Sequence, residues 1–176
     1  MSVRSFEKKH PKLGDKVFVD PTALVVGDVE IGNDSSIWPM ATVRGDVHSI
    51  RIGDRTSIQD GCVLHVTHAG PYDPEGHDLD IGNDVTVGHK AMIHGCVIED
   101  ECLIGMGSVV MDNAIIRKNV VLGANSLVPP GRELEGGYLW VGSPARKIRP
   151  LNDDEIAFFK YSAENYVKLK DRYLAG

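Results

Sequence analysis

"IEDECL IGMGSV VMDNAI IRKNVV LGANSL VPPGRE", residues 98–133, divides evenly into sixes. Ile98, Ile104, Val110, Ile116, Leu122 and Val128 open them, and every opener is aliphatic. The fifth place is small or β-branched: Cys102, Ser108, Ala114, Val120 and Ser126. A helix repeats its apolar face every 3.6 residues and a flat strand every two, so a strict six matches neither. A six-residue period indicates a parallel β-helix, each six giving one short strand and one corner. The opener is expected to fill the core. Glycine, which often follows it, is expected to take the corner, where the backbone is most demanding. Three sixes close a triangular coil, and coils stack at about 4.8 Å.

The same phase continues toward the N-terminus. It recurs at Ile31, Ile37 and Val43, at Ile52, Ile58 and Leu64, and at Ile81, Val87 and Ile93. The fifth places there include Ser35, Ala41, Val47, Thr56 and Cys62, and the pattern breaks at His68. Three intervals are irregular. Val43 to Ile52 has three residues too many, read as a bulge. Leu64 to Ile81 has eleven too many, in a stretch rich in Gly, Pro and Asp that reads as an excursion loop over about 66–80. Ile93 to Ile98 is one short, directly after His94. The β-helix is expected over about 14–148. From there the six disappears. Asn152 with Glu155 forms a capping box, and Ile156, Phe159, Ala163, Tyr166 and Tyr173 follow helical spacing. A helix over about 152–174 should lie along the prism. The expectation is a mainly β fold forming a single domain, 1–176.

Composition narrows the function. The 176 residues carry a net charge of −6, which argues against a nucleic-acid partner. No apolar run is long enough to span a membrane. The opening "MSVRSFEKKHPKLGDK" lacks the apolar core of a signal peptide, so a cytoplasmic location is expected. The three cysteines form no CxxC pair and no disulfide framework. Cys62 and Cys102 fall at core places. Cys96 is read either as packing or as a sulfur ligand.

"TVGHKAMIHG", residues 86–95, holds two histidines five apart. His65 and His94 are each second in their six and lie 29 residues apart; less the eleven of the excursion, that is one eighteen-residue coil. Their α-carbons should therefore stack about 4.8 Å apart, close enough to chelate one metal. His89 is third in its six on another face, turned away by the corner. It reaches such an ion only from a neighbouring prism, an arrangement that a three-fold trimer closes. Three histidines leave a fourth position open on zinc, the pattern of a catalytic site. Arg44 falls one coil before His65, and Asp60 one coil before His89. Gln59, beside Asp60, has an amide suited to orienting a metal-bound water. Each of these residues on its own also reads as an ordinary surface or corner position.

"VRGDV", "IQDGCVLH", "VGHKAMIHG" and "YLWVGSPARKIR" together resemble the γ-class carbonic anhydrase family, in its short bacterial branch, from Gly14 to the final helix. The resemblance implies a homotrimeric left-handed β-helix with Zn²⁺ at each interface, Fe²⁺ or Co²⁺ replacing it in some relatives. It implies His65 and His94 from one subunit and His89 from the next as ligands, and Gln59 orienting the bound water. Arg44 and Asp60 would pair across the interface, Asp46 would support trimer contacts, and Tyr138 would lie near the active site. The activity implied is reversible hydration of CO₂ to bicarbonate by metal-bound hydroxide. The proton-transfer groups depart from the family archetype. Val47 replaces a glutamate, His68 stands where a shuttle carboxylate would be, and Trp140 replaces an asparagine of some active members. His68 is read either as a proton relay or as a plain loop residue. The competing readings are a metal-dependent acyl-thioester hydrolase, a CoA-dependent acyltransferase of the hexapeptide type, and a non-catalytic metal-stabilised trimer.

Overall fold

A computed structural model describes residues 2–176. It is a parallel β-solenoid of about eight turns with a single C-terminal helix. Its strands are mostly two or three residues long and pair in parallel with the strand one coil away. Ile98 pairs with Ile116, Ile104 with Leu122, and Val110 with Val128. Every opener from Ile31 to Val128 is buried. Stacked on one another, these aliphatic side chains form the single core cluster of the prism.

The corners differ from expectation. Positive φ falls on the fourth place of the six, at Asp34, Arg55, Asp84, Glu101 and Asn119 among others, with φ between 52° and 61°. Glycine at the second place answers a different need. A Cβ on Gly105 would lie 2.4 Å from the backbone nitrogen of Ala124, and one on Gly32 would lie 2.4 Å from the Asp54 carboxylate. The second place is thus where adjacent coils touch. At one corner the third place forms a ladder. The backbone N–H groups of Asp15, Asn33, Asp54 and Asn83 donate to the side chains of Asn33, Asp54, Asn83 and Asp100, each one coil further on.

The irregular intervals resolve individually. Leu24–Ile31 and Thr42–Ile52 are long strands that run through a corner. Their pairing jumps from Gly27↔Gly45 to Val29↔Ile50, so the three extra residues are a bulge. Val47 is therefore not an inward fifth residue: it is 47% exposed, and Ile50 fills that core place. The excursion is shorter than expected, because Leu79 and Asp80 already pair with Ile50 and Arg51. Its stem is closed by reciprocal backbone hydrogen bonds between Thr67 and His77. The shortened six brings Cys96 to the inward place.

The solenoid also starts earlier than residue 14. Val3 pairs with Val25 and Lys12 with Glu30, both in parallel. These first strands are too short to show a repeat. At the other end Arg146–Pro150 pairs antiparallel with Tyr138–Val141.

The helix spans Asp153–Ala175, with the capping box of Asn152 and Glu155 in place. It buries Phe159, Ser162, Ala163 and Lys170, while Ile156 and Tyr173 remain 41% and 57% exposed. Tyr173 nevertheless packs on Phe18 and Trp38, with ring centroids 5.4 Å from each. Lys170 is fully buried and donates to Asp34 at 2.8 Å, pinning the helix to an early coil. Bonds from Arg149 and the Asn152 N–H pull the Glu155 carboxyl down to about 2. Its folded pKa is depressed, so its contribution is present above the ordinary glutamate value and lost as pH falls toward 2. Circular dichroism should show helix loss beginning only below about pH 4.5, and Glu155→Gln should flatten that dependence.

Candidate metal centre

His65 ends the strand Val63–His65 and His94 ends Met92–His94, and the two residues pair directly in register. His65 Nδ1 lies 3.1 Å from His94 Nε2. Nitrogens on tetrahedral zinc, with bonds of about 2.0–2.1 Å, stand about 3.3–3.4 Å apart, so this pair is already close to the edge of such a site.

Each ring is held from behind. His65 Nε2 lies 3.0 Å from Asp46 Oδ1, and His94 Nδ1 lies 2.7 Å from Asp112 Oδ1. A carboxylate only accepts, so both outer nitrogens carry the proton. Two rings so protonated, and carrying no further proton, would aim two lone pairs at each other across 3.1 Å. A cation between them, proton or metal, relieves that conflict. Burial foremost, together with the nearby Arg44 charge, holds the His65 pKa below the ordinary histidine value against the pull of Asp46. A ring kept neutral in this way is a ready metal ligand.

Asp46 sits in the bulge and bridges two partners, accepting from Arg44 Nη1 at 2.6 Å and from His65. Burial opposes its ionisation, yet those two hydrogen bonds hold its carboxyl below the ordinary aspartate range. Within the protomer, then, Arg44 pairs with Asp46, and Asp60 is engaged elsewhere. His89 follows the strand Thr86–Val87 in the other sheet, and its Nδ1 lies 2.9 Å from Asp60 Oδ2. Three imidazoles thus have one nitrogen each tied to an aspartate, the arrangement that orients histidine ligands around metals. Among the described residues, no three candidate ligands converge within one chain.

Gln59 is buried beside His89, close to Tyr166 of the helix. Both line a groove of about 410 Å³ with Gly88, Met106, Phe158 and Ser162. His68 is exposed at the root of the excursion. Tyr138 lies three coils beyond the strand preceding His89 and packs under Lys147, whose Nζ is 4.3 Å from its ring centroid. Within the protomer it stands apart from the histidines. Trp140 is a core residue.

Cys96 is buried in the core rather than turned toward the histidines, and burial drives its pKa up. The same cause raises Cys62 to about 11 and Cys102 to about 12. All three thiols should resist a disulfide reagent at neutral pH until the chain is unfolded, when all three should react.

Asp112 is hidden in the repeat, although a plain count of eighteen from His94 lands on it. The shortened six after His94 moves it out of the aligned register: Ile93 pairs with Val110, which sets Gly95, not His94, opposite Asp112.

A family model described as bacterial transferase hexapeptide (six repeats) matches residues 10–45 and 95–130. Protein YrdA of Escherichia coli (strain K12) is 52% identical over 172 residues, covering 98% of this chain and 94% of that protein. Gamma carbonic anhydrase 1, mitochondrial, of Arabidopsis thaliana is 41% identical over 167 residues, 95% of this chain and 60% of that protein. The chain belongs to the YrdA-like γ-carbonic-anhydrase family. Among solved structures similar to this YrdA-like chain is a hexapeptide transferase family protein from Anaplasma phagocytophilum. It has a TM-score of 0.89 at 36% identity, over 97% of each chain.

Proposed function

We propose that the protein is a metal-dependent hydratase that interconverts CO₂ and bicarbonate at a centre shared between subunits of a homotrimer. The observation that carries this reading is the set of three aspartate-held imidazoles, two of them facing at 3.1 Å. His65 and His94 of one subunit and His89 of its neighbour would hold Zn²⁺, or Fe²⁺ or Co²⁺ in its place. When bound, such an ion supplies Lewis acidity, bringing the pKa of a coordinated water to about 7. Asp46, Asp112 and Asp60 fix the three rings. Gln59, on the His89 side, orients the attacking water through its amide. His68, at the loop root, passes protons to solvent. Arg44 joins Asp60 of the neighbour.

The trimer has support of its own. The face that carries His65 and His94 presents a register-matched outward row of Leu24, Thr42, Val63, Met92, Val109 and Leu127. Val63 and Met92 in that row are 39% and 48% exposed. The C-terminal helix packs on the other sheet. An uncovered apolar strip beside an incomplete ligand set suits a second copy of the chain.

Metal analysis of protein purified without chelator, then stopped-flow CO₂ hydration, tests the proposal. Near-stoichiometric metal and measurable turnover are expected. A fully loaded protein without turnover would exclude the hydratase. A second reading, hydrolysis of acyl thioesters by the same centre, draws on the groove beside His89, whose lining is largely apolar. Thioester cleavage that needs metal, without CO₂ turnover, would favour it. Metal-independent acyl transfer from CoA would favour a transferase, which leaves the paired histidines unexplained.

A further inference from the structure

His94 is the end of a chain of contacts that begins on the excursion loop. Thr67 Oγ1 donates to Asp112 Oδ1 at 3.0 Å, and the same oxygen accepts from His94 Nδ1 at 2.7 Å. Thr67 is the residue whose backbone closes the stem of the excursion with His77. A second, independent feature keeps this path open. A Cβ on Gly95 would lie 2.3 Å from Asp112 Oδ1. Only a residue without a side chain there lets the carboxylate reach the histidine. Gly95 also takes a φ of +48°, which glycine adopts without strain.

We infer that Asp112, gripped by Thr67 and given room by Gly95, is a positioning residue. It selects the Nδ1–H tautomer of His94, aims Nε2 at the metal, and so ties metal affinity to the stem of the excursion loop. The inference rests on the metal centre proposed above. Its chemistry is that of a carboxylate behind a ligating imidazole, which fixes the ring and raises its basicity. It also gives the excursion a structural purpose, since the loop stem delivers the hydroxyl that orients the carboxylate.

Two readouts test it on the full-length protein. The first is Zn²⁺ affinity by competition with a chromophoric chelator. Asp112→Ala should weaken binding by about 10- to 100-fold. Asp112→Asn, which can still offer an oxygen to Nδ1–H, should lose less. Thr67→Val should cost about tenfold, the low end of what one hydrogen bond to a charged group is worth, because the carboxylate itself stays in place, and Thr67→Ser should restore the parental value. The second readout needs no metal. Nitrogen-15 spectra of the chelator-treated protein should show His94 protonated at Nδ1 in the parent, with that preference lost in Asp112→Ala. Thermal melts of the metal-free variants check folding. Parental Zn²⁺ affinity and an unchanged His94 tautomer in Asp112→Ala would overturn the inference and leave the hydratase proposal standing. A parent that binds no metal yet holds the Nδ1–H tautomer would sink the metal centre while keeping Asp112 as the residue that orients the ring.

Discussion

His94→Ala is expected to strip the protein of its metal and to reduce CO₂ hydration to buffer background while leaving the solenoid folded. The expectation follows from position. His94 is partly buried at the end of its strand and its ring packs outside the prism against His65, so truncation opens no core cavity. The change removes one of the two imidazoles proposed as ligands from one subunit and frees His65 from its facing partner. His89→Ala should give the same metal loss although its ring is in the other sheet. Elemental analysis and circular dichroism check both variants. Retention of stoichiometric metal in either would remove that residue from the ligand set.

Gly105→Ala is expected to be the most damaging single methyl in the molecule's middle coils. The added Cβ would meet the Ala124 nitrogen at 2.4 Å, and the Gly123 carbon and Leu122 oxygen at 2.6 Å, all backbone. Backbone in a stacked coil cannot rotate aside as a side chain can. Relief requires opening the inter-coil pairing on which Leu103 and Ile104 depend. A loss of about 3 kcal/mol follows from forced overpacking, lowering the melting temperature by about 6–12 °C in a chain of this size. Gly131→Ala provides the contrast. Nothing lies within 4 Å of its Cβ, so only the positive φ is strained, at about 1–2 kcal/mol. Equal melting temperatures for the two variants would contradict the assignment of second-place glycines to coil contact.

The solenoid was legible because burial and period coincide. Each coil repeats the same inward aliphatic place, and neither a helix nor a flat strand can hold a strict six over so many repeats. What escaped the sequence depended on contacts across the period. Positive φ at Asp34, Arg55 and Asp84 leaves no trace in a pattern that looks for glycine. Val47 falls in a fifth place by counting, but a bulge of three residues is absorbed before Ile50, and counting cannot say where. Lys170 reads as a solvated helix residue until Asp34, far away in sequence, meets it.

The candidate centre divides in the same way. His65 and His94 can be stacked from residue counts alone because eleven excess residues leave one whole coil. Their pairing in register follows that count. Asp46 stands out as part of a motif, but its hydrogen bond to His65 depends on how the bulge folds back. Asp60 falls one coil from His89 by counting, and it is their side chains that meet. Gln59 under the helix could not be foreseen, since its neighbour Tyr166 belongs to a segment with a different period.

The proposed metal centre is assembled from faces of two different subunits. Subunit complementation therefore decides whether the centre exists. His89→Ala and His94→Ala chains, each metal-free alone, are unfolded together in equal amounts and refolded. A site is complete wherever an intact His65–His94 pair meets an intact His89 of its neighbour. Random three-fold assembly should therefore recover about a quarter of the parental metal and activity. A mixture as empty as either variant by itself would contradict the shared centre.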